Sequence, residues 1–85
     1  MKLNQTNELT GDPDKDCLIK LANRMKDIRL SQGYDHYEKF ALDNDIARSQ
    51  YRKYEMGGNI TCTNLIKVMK ALKVEPAEFF SEGFD

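Results

Sequence analysis

Residues 48–56 read RSQYRKYEM, with three cations before the first acid, Glu55. Arginine, serine and glutamine side chains can hydrogen-bond the edges of bases, and arginine or lysine can meet phosphate. Arg48 and Arg52 stand four residues apart, so on a helix they share a face. Arg48 has the fork geometry for the O6 and N7 of guanine. Read singly, each of these residues is also what a solvated helix face carries. Other chemistries find less support. His36 is the one histidine, and no cysteine or carboxylate cluster stands at ligand spacing around it, so neither metal nor cofactor is expected. The sequence offers no activated nucleophile, no paired carboxylates in an evident cleft and no phosphate loop, so no catalytic residue is assigned. The tyrosines Tyr34, Tyr37, Tyr51 and Tyr54 could form a stacking platform for single strands, but their helical spacing favours core packing.

These side chains need a scaffold, and the punctuation of the chain describes one. Asp12-Pro13 is a helix start, with Asp as N-cap and Pro in the first turn. Leu18, Leu21, Ala22, Met25 and Ile28 then form one apolar stripe. This predicts a first helix from about Pro13 to Ser31, stopped by Gly33. Asp35 to Glu38 has capping-box spacing, and the second helix is expected over about His36–Asp43, burying Phe40 and Ala41. Asn44 and Asp45 form a tight polar turn, since their side chains bond nearby backbone and tolerate left-handed φ. A third helix follows over about Arg48–Met56, ended by Gly57 and Gly58. Thr61 caps a fourth helix whose apolar face is Cys62, Leu65, Ile66, Met69 and Leu72, and Glu75-Pro76 opens a short fifth carrying Phe79 and Phe80. Helix, polar turn and basic helix in that order make a helix-turn-helix, a motif whose usual use is DNA binding. The fold class is all-α.

Eighty-five residues suit one domain of modest core, with stability of about 3–5 kcal/mol. Residues 1–11 are polar and aperiodic and are expected to form a disordered N-terminal arm. Residues 12–80 form the domain and residues 81–85 an acidic tail. No apolar run approaches a membrane span, and no signal peptide is evident, so a cytoplasmic protein is expected. Cys17 and Cys62 lack metal spacing and are expected to be reduced, part-buried thiols. The net charge of -1 is unevenly spread: residues 1–16 carry -2, residues 17–74 carry +5 and residues 75–85 carry -4. A basic centre between acidic ends suits a local nucleic-acid footprint.

Residues 21–80 resemble the lambda-repressor-like, Xre-type helix-turn-helix family. The resemblance rests on MKDIR before the first turn, SQGY after it, and FA in the second helix. It continues through IARSQYRKYEMG over turn and third helix and LIKVMKALKVEPAEFF over the last two. It implies a five-helix domain whose third helix, about 48–56, lies in the major groove. It also implies an ion pair between Arg29 and Glu55, a structural contact of the bidentate kind. The sequence departs from the family pattern at four places: one extra residue between Gly33 and Phe40, Asn44-Asp45 at the turn, Tyr51 and Tyr54 on the inner face, and Ile60 where proline is common.

By position in that family, Arg48 and Ser49 are the first base-reading candidates and Lys53, one turn on, the next. Arg52 and Gln50 read a base or hold phosphate. Phosphate contacts are expected from the start of the second helix, at His36, Tyr37 and Lys39, and from the loop after the third, at Asn59 and Thr61. The implied partner is double-stranded DNA, bound by a transcriptional regulator. A homodimer is expected through the aromatic residues Phe79, Phe80 and Phe84. The competing expectation is an antitoxin-like or bridging module that uses the same fold to bind protein.

Overall fold

The computed structural model describes residues 7–84. Its helices are α1 (Pro13–Ser31), α2 (Tyr37–Asp43), α3 (Arg48–Glu55), α4 (Cys62–Leu72) and α5 (Pro76–Phe79), with no strand among the described residues. The order is the expected one, and α3 ends one residue early because Met56 is its C-cap.

Local chemistry sets the ends. The Asp12 carboxylate accepts from the Asp14 amide at 3.0 Å, and Pro13 takes the first turn of α1. Just upstream, Asp16 accepts from the amides of Thr10 (2.7 Å) and Gly11 (2.9 Å). The Thr10 amide is the main cause that holds the Asp16 carboxyl below its ordinary range. Residues 7–11, read from sequence as part of an arm, therefore make contacts back to α1; residues 1–6 and Asp85 lie outside the described residues. Thr61 caps α4 by accepting from the Asn64 amide at 3.1 Å. The start of α2 corrects the sequence reading. His36, not Asp35, is its N-cap and makes no side-chain capping bond. With the helix beginning one residue later, the third helical position is Lys39 rather than Glu38, so the capping box cannot close. Lys39 instead reaches forward to both oxygens of Asp43 at 3.2 Å.

The core lies where α1 packs on α3 and α4, with α2 closing on α3. Met25, Phe40, Tyr51, Val68, Leu72 and Phe79 are fully buried. Phe40 is the aromatic hub: its ring centroid lies 5.3 Å from Tyr34, edge-on, and 5.0 Å from Tyr51. Tyr51 and Tyr54 are both buried, as their spacing predicts. The cysteines overturn the expectation of part-buried thiols: Cys17 and Cys62 are both exposed and free. Each sits in the first turns of its helix, outside the apolar stripe that Leu21, Met25 and Ile28 or Val68, Met69 and Leu72 turn to the core.

Tyr34 ties the loop before α2 to the end of that helix. Its hydroxyl donates to Asp43 Oδ2 at 2.8 Å. That bond first, and then Lys39, hold the Asp43 carboxyl below its ordinary value of 3.8. A carboxyl with a depressed folded-state pKa lends stability above its unfolded pKa and loses it as pH falls through the folded one. Asp43→Asn is therefore expected to lower the urea midpoint at neutral pH and to converge on wild type once the pH is well below 3.8. An unchanged gap across an acid titration of the two midpoints would refute this.

The Tyr51 hydroxyl is the one buried side-chain polar atom without a hydrogen bond among the described residues. Burial, and next the nearby Glu55 carboxylate, push its pKa far above the ordinary phenol value, so it stays neutral. An unsatisfied buried hydroxyl costs about 1–3 kcal/mol. Tyr51→Phe keeps the ring and removes a hydroxyl that sits against Arg29 and Glu55 without a well-formed hydrogen bond, so the variant is expected to be at least as stable as wild type. A urea midpoint below wild type would show that the hydroxyl is satisfied in solution.

Candidate nucleic-acid interface

The turn that presents α3 is built from its own sequence. Asn44 Nδ2 donates back to the Phe40 carbonyl at 2.9 Å, and the Ile46 amide reaches the Ala41 carbonyl at 2.9 Å. Asp45 makes the reversal possible with φ of 58°, the left-handed region where short acidic and amide residues are tolerated. Asn44-Asp45 thus does the work that glycine does elsewhere in such turns. Ala47 then caps α3 and makes no side-chain bond, so the first-turn amides of α3 have no side-chain acceptor.

On α3 the division of faces is clean. Tyr51 and Tyr54 go inward, while Arg48, Ser49, Gln50, Arg52 and Lys53 are all exposed. None of these five side chains makes a hydrogen bond or ion pair among the described residues. The helix offers solvent two guanidinium groups, an ammonium, an amide and a hydroxyl, with no acid among them. This is the donor-rich surface that base edges and phosphates require.

The end of α3 is fixed by charge. Arg29, at the end of α1, is 4% exposed and holds Glu55 in a fork: Nε to Oε2 at 2.8 Å and Nη2 to Oε1 at 3.0 Å. Its third arm, Nη1, donates to the Tyr34 carbonyl at 2.6 Å. Burial disfavours the Arg29 charge, but the bonds to Glu55 and its negative charge outweigh that and raise the guanidinium pKa above its ordinary value. The pair implied by the resemblance is present and structural.

The flanking candidates fall into different settings. Tyr37 is half-buried and shares a recess of about 290 Å³ with Arg52 and Lys26. Lys39 and Arg48 line another, of about 520 Å³, together with Leu42. His36 is exposed and lies beside Lys39 and Tyr34 in a third. Lys39 already faces Asp43, so a phosphate there competes with a carboxylate. Thr61 is exposed but its oxygen caps α4. Asn59 lines a recess with Asp12, Asp14 and Lys15, and two carboxylates beside it work against an anion. Sequence reasoning passed over Lys26 of α1 and Lys67 of α4, which lines a recess with Gln50. Both are cations on helices outside the motif, and no local pattern brings them beside α3. Among the described residues no group of histidine, cysteine and carboxylate side chains is placed to hold a metal ion, and no helix is long and apolar enough to cross a membrane.

No curated protein and no solved structure matches the chain significantly. Residues 25–79, which span the end of α1 through α5, match the helix-turn-helix family model. With that match over most of its length, and with the turn, the exposed basic α3 and the Arg29–Glu55 fork in place, the chain belongs to the Xre/lambda-repressor-like helix-turn-helix family of DNA-binding domains.

Proposed function

We propose that this chain is a sequence-specific double-stranded DNA-binding regulator of transcription, working in the cytoplasm, with α3 in the major groove. The observation that supports this most is the make-up of α3: every exposed residue from Arg48 to Lys53 is a donor-bearing polar or basic side chain. Arg48 and Ser49, at its N-terminal end, read bases, and Lys53 follows one turn on. Arg52, Gln50, Tyr37, His36 and Lys39 hold the backbone or add readout, with Asn59 and Thr61 at the edge. Binding is by a twofold dimer on two half-sites about one helical turn apart. Its contact is the exposed side of the aromatic cluster, Phe80 with Phe84; Phe79, expected from sequence to join them, is fully buried and serves the core beneath. Phe80 is 46% exposed there, and its centroid lies 4.9 Å from that of Phe84.

The test is selection of bound duplexes from a random pool at about 0.1–0.15 M salt, where phosphate contacts still contribute strongly. An enriched palindrome supports a dimeric reader. One feature favours the second reading, a protein-interaction module: Leu42 at the end of α2 is 77% exposed. Failure to enrich any duplex, with no salt-sensitive DNA binding, would favour that module.

A further inference from the structure

The last four carbonyls of a helix have no partner inside it. On α3 these belong to Arg52, Lys53, Tyr54 and Glu55. The chain that follows takes the first three: the Met56 amide reaches the Arg52 and Lys53 carbonyls, Gly57 the Tyr54 carbonyl at 3.1 Å, and Gly58 the Lys53 carbonyl at 2.9 Å. The Glu55 carbonyl is taken from far away in sequence. Asn7 Nδ2 donates to it at 3.0 Å. Asn7 is in turn held on α1, where the Asn23 carboxamide pairs with its backbone: the Asn7 amide donates to Asn23 Oδ1 and Asn23 Nδ2 donates to the Asn7 carbonyl, both at 3.3 Å. Glu55 is thus gripped twice, its carboxylate by Arg29 and its carbonyl by Asn7. Asn7 also walls the recess that holds Tyr37 and Arg52.

We infer that Asn7 and Asn23 form a strap that sets the position of the recognition helix, making both positioning residues for DNA reading although neither faces the groove. The inference rests on the proposed DNA-reading function. Bidentate base contacts demand a fixed helix, whereas phosphate attraction tolerates a loose one. Freeing one end of α3 therefore weakens discrimination between sequences more than it weakens attraction to DNA as such. The Arg29 fork holds the side chain of Glu55 and the Asn7 bond holds its backbone, so the two fix the end of α3 at different atoms.

The experiment compares the full chain with Asn7→Ala and Asn23→Ala, each measured against the duplex selected by wild type and against a scrambled duplex, and with Asn7→Asp. Asn7→Ala is the decisive variant, because it removes the donor without adding a charge beside Arg52; Asn7→Asp adds a carboxylate there and is read only for the urea midpoint. The expected result is a fall of about three- to tenfold in affinity for the selected duplex, the size of one lost hydrogen bond, with scrambled binding within about twofold. The double variant Asn7→Ala/Asn23→Ala should be no worse than either single one, because both break the same connection. An unchanged ratio of selected to scrambled binding, or an equal fall in both, overturns the strap's role. A strap that served stability alone would shift the urea midpoint and leave that ratio intact. A wild-type protein with no preferred duplex overturns the DNA-reading function itself, and the role of the strap with it; that result is read before any variant is made.

Discussion

Glu55→Ala is expected to leave little folded protein at 25 °C. The substitution strands the Arg29 guanidinium at 4% exposure with its fork empty, and removing one partner of a buried pair costs about 3–5 kcal/mol. A domain of this length has a total stability of about 3–5 kcal/mol, so the loss is comparable to the whole. Circular dichroism at 222 nm with a urea titration measures it. Arg29→Ala should do the same, and should also release the Tyr34 carbonyl. Replacing both at once, as Arg29→Met with Glu55→Leu, leaves no stranded charge and is expected to recover most of the loss, since apolar substitutes for buried pairs are often neutral or better. A loss under about 1 kcal/mol for Glu55→Ala would mean that the pair behaves as a solvated surface bridge.

The second large effect is on DNA. Arg48→Ala should relax the preference at one position of the selected duplex and cost about 1–3 kcal/mol, because a bidentate base contact carries that much discrimination. Lys53→Ala should cost a similar amount if it too meets a base. If it meets phosphate, the preferred sequence stays the same and the slope of log affinity against log salt falls by about one. The double variant combines the two, a loss on the order of 30-fold or more. Both residues are exposed and unpaired among the described residues, so neither change should move the urea midpoint by more than about 0.5 kcal/mol. Wild-type affinity in both variants would remove α3 from the interface.

What the sequence determined by itself was the set of elements and their faces. The Asp12-Pro13 start, the stops at Gly33 and Gly57, the Thr61 cap and the stripe through Leu21, Met25 and Ile28 are all written within a few residues of where they act. Helix and turn physics is local: caps satisfy amides two or three residues away, and stripes follow the 3.6-residue period. The exposed set on α3 is legible for the same reason, because the three-residue spacing of Tyr51 and Tyr54 marks its inner face. Two local readings failed: the cap of α2 is His36 rather than Asp35, and on α4 Cys62 and Ile66 are exposed while Val68 takes the core face. The tertiary structure alone decided which distant groups meet. Asn7 and Glu55 are 48 residues apart and Gln32 reaches the Leu72 carbonyl across 40. Lys26 and Arg52 come to share a recess only because α1 packs on α3. The thiols of Cys17 and Cys62 are exposed because neighbouring residues fill the core faces of their helices. Arg29 and Glu55 were matched through a family resemblance, but the depth of their burial, which makes the pair worth several kcal/mol rather than a fraction of one, is a property of the packed α1–α3 junction.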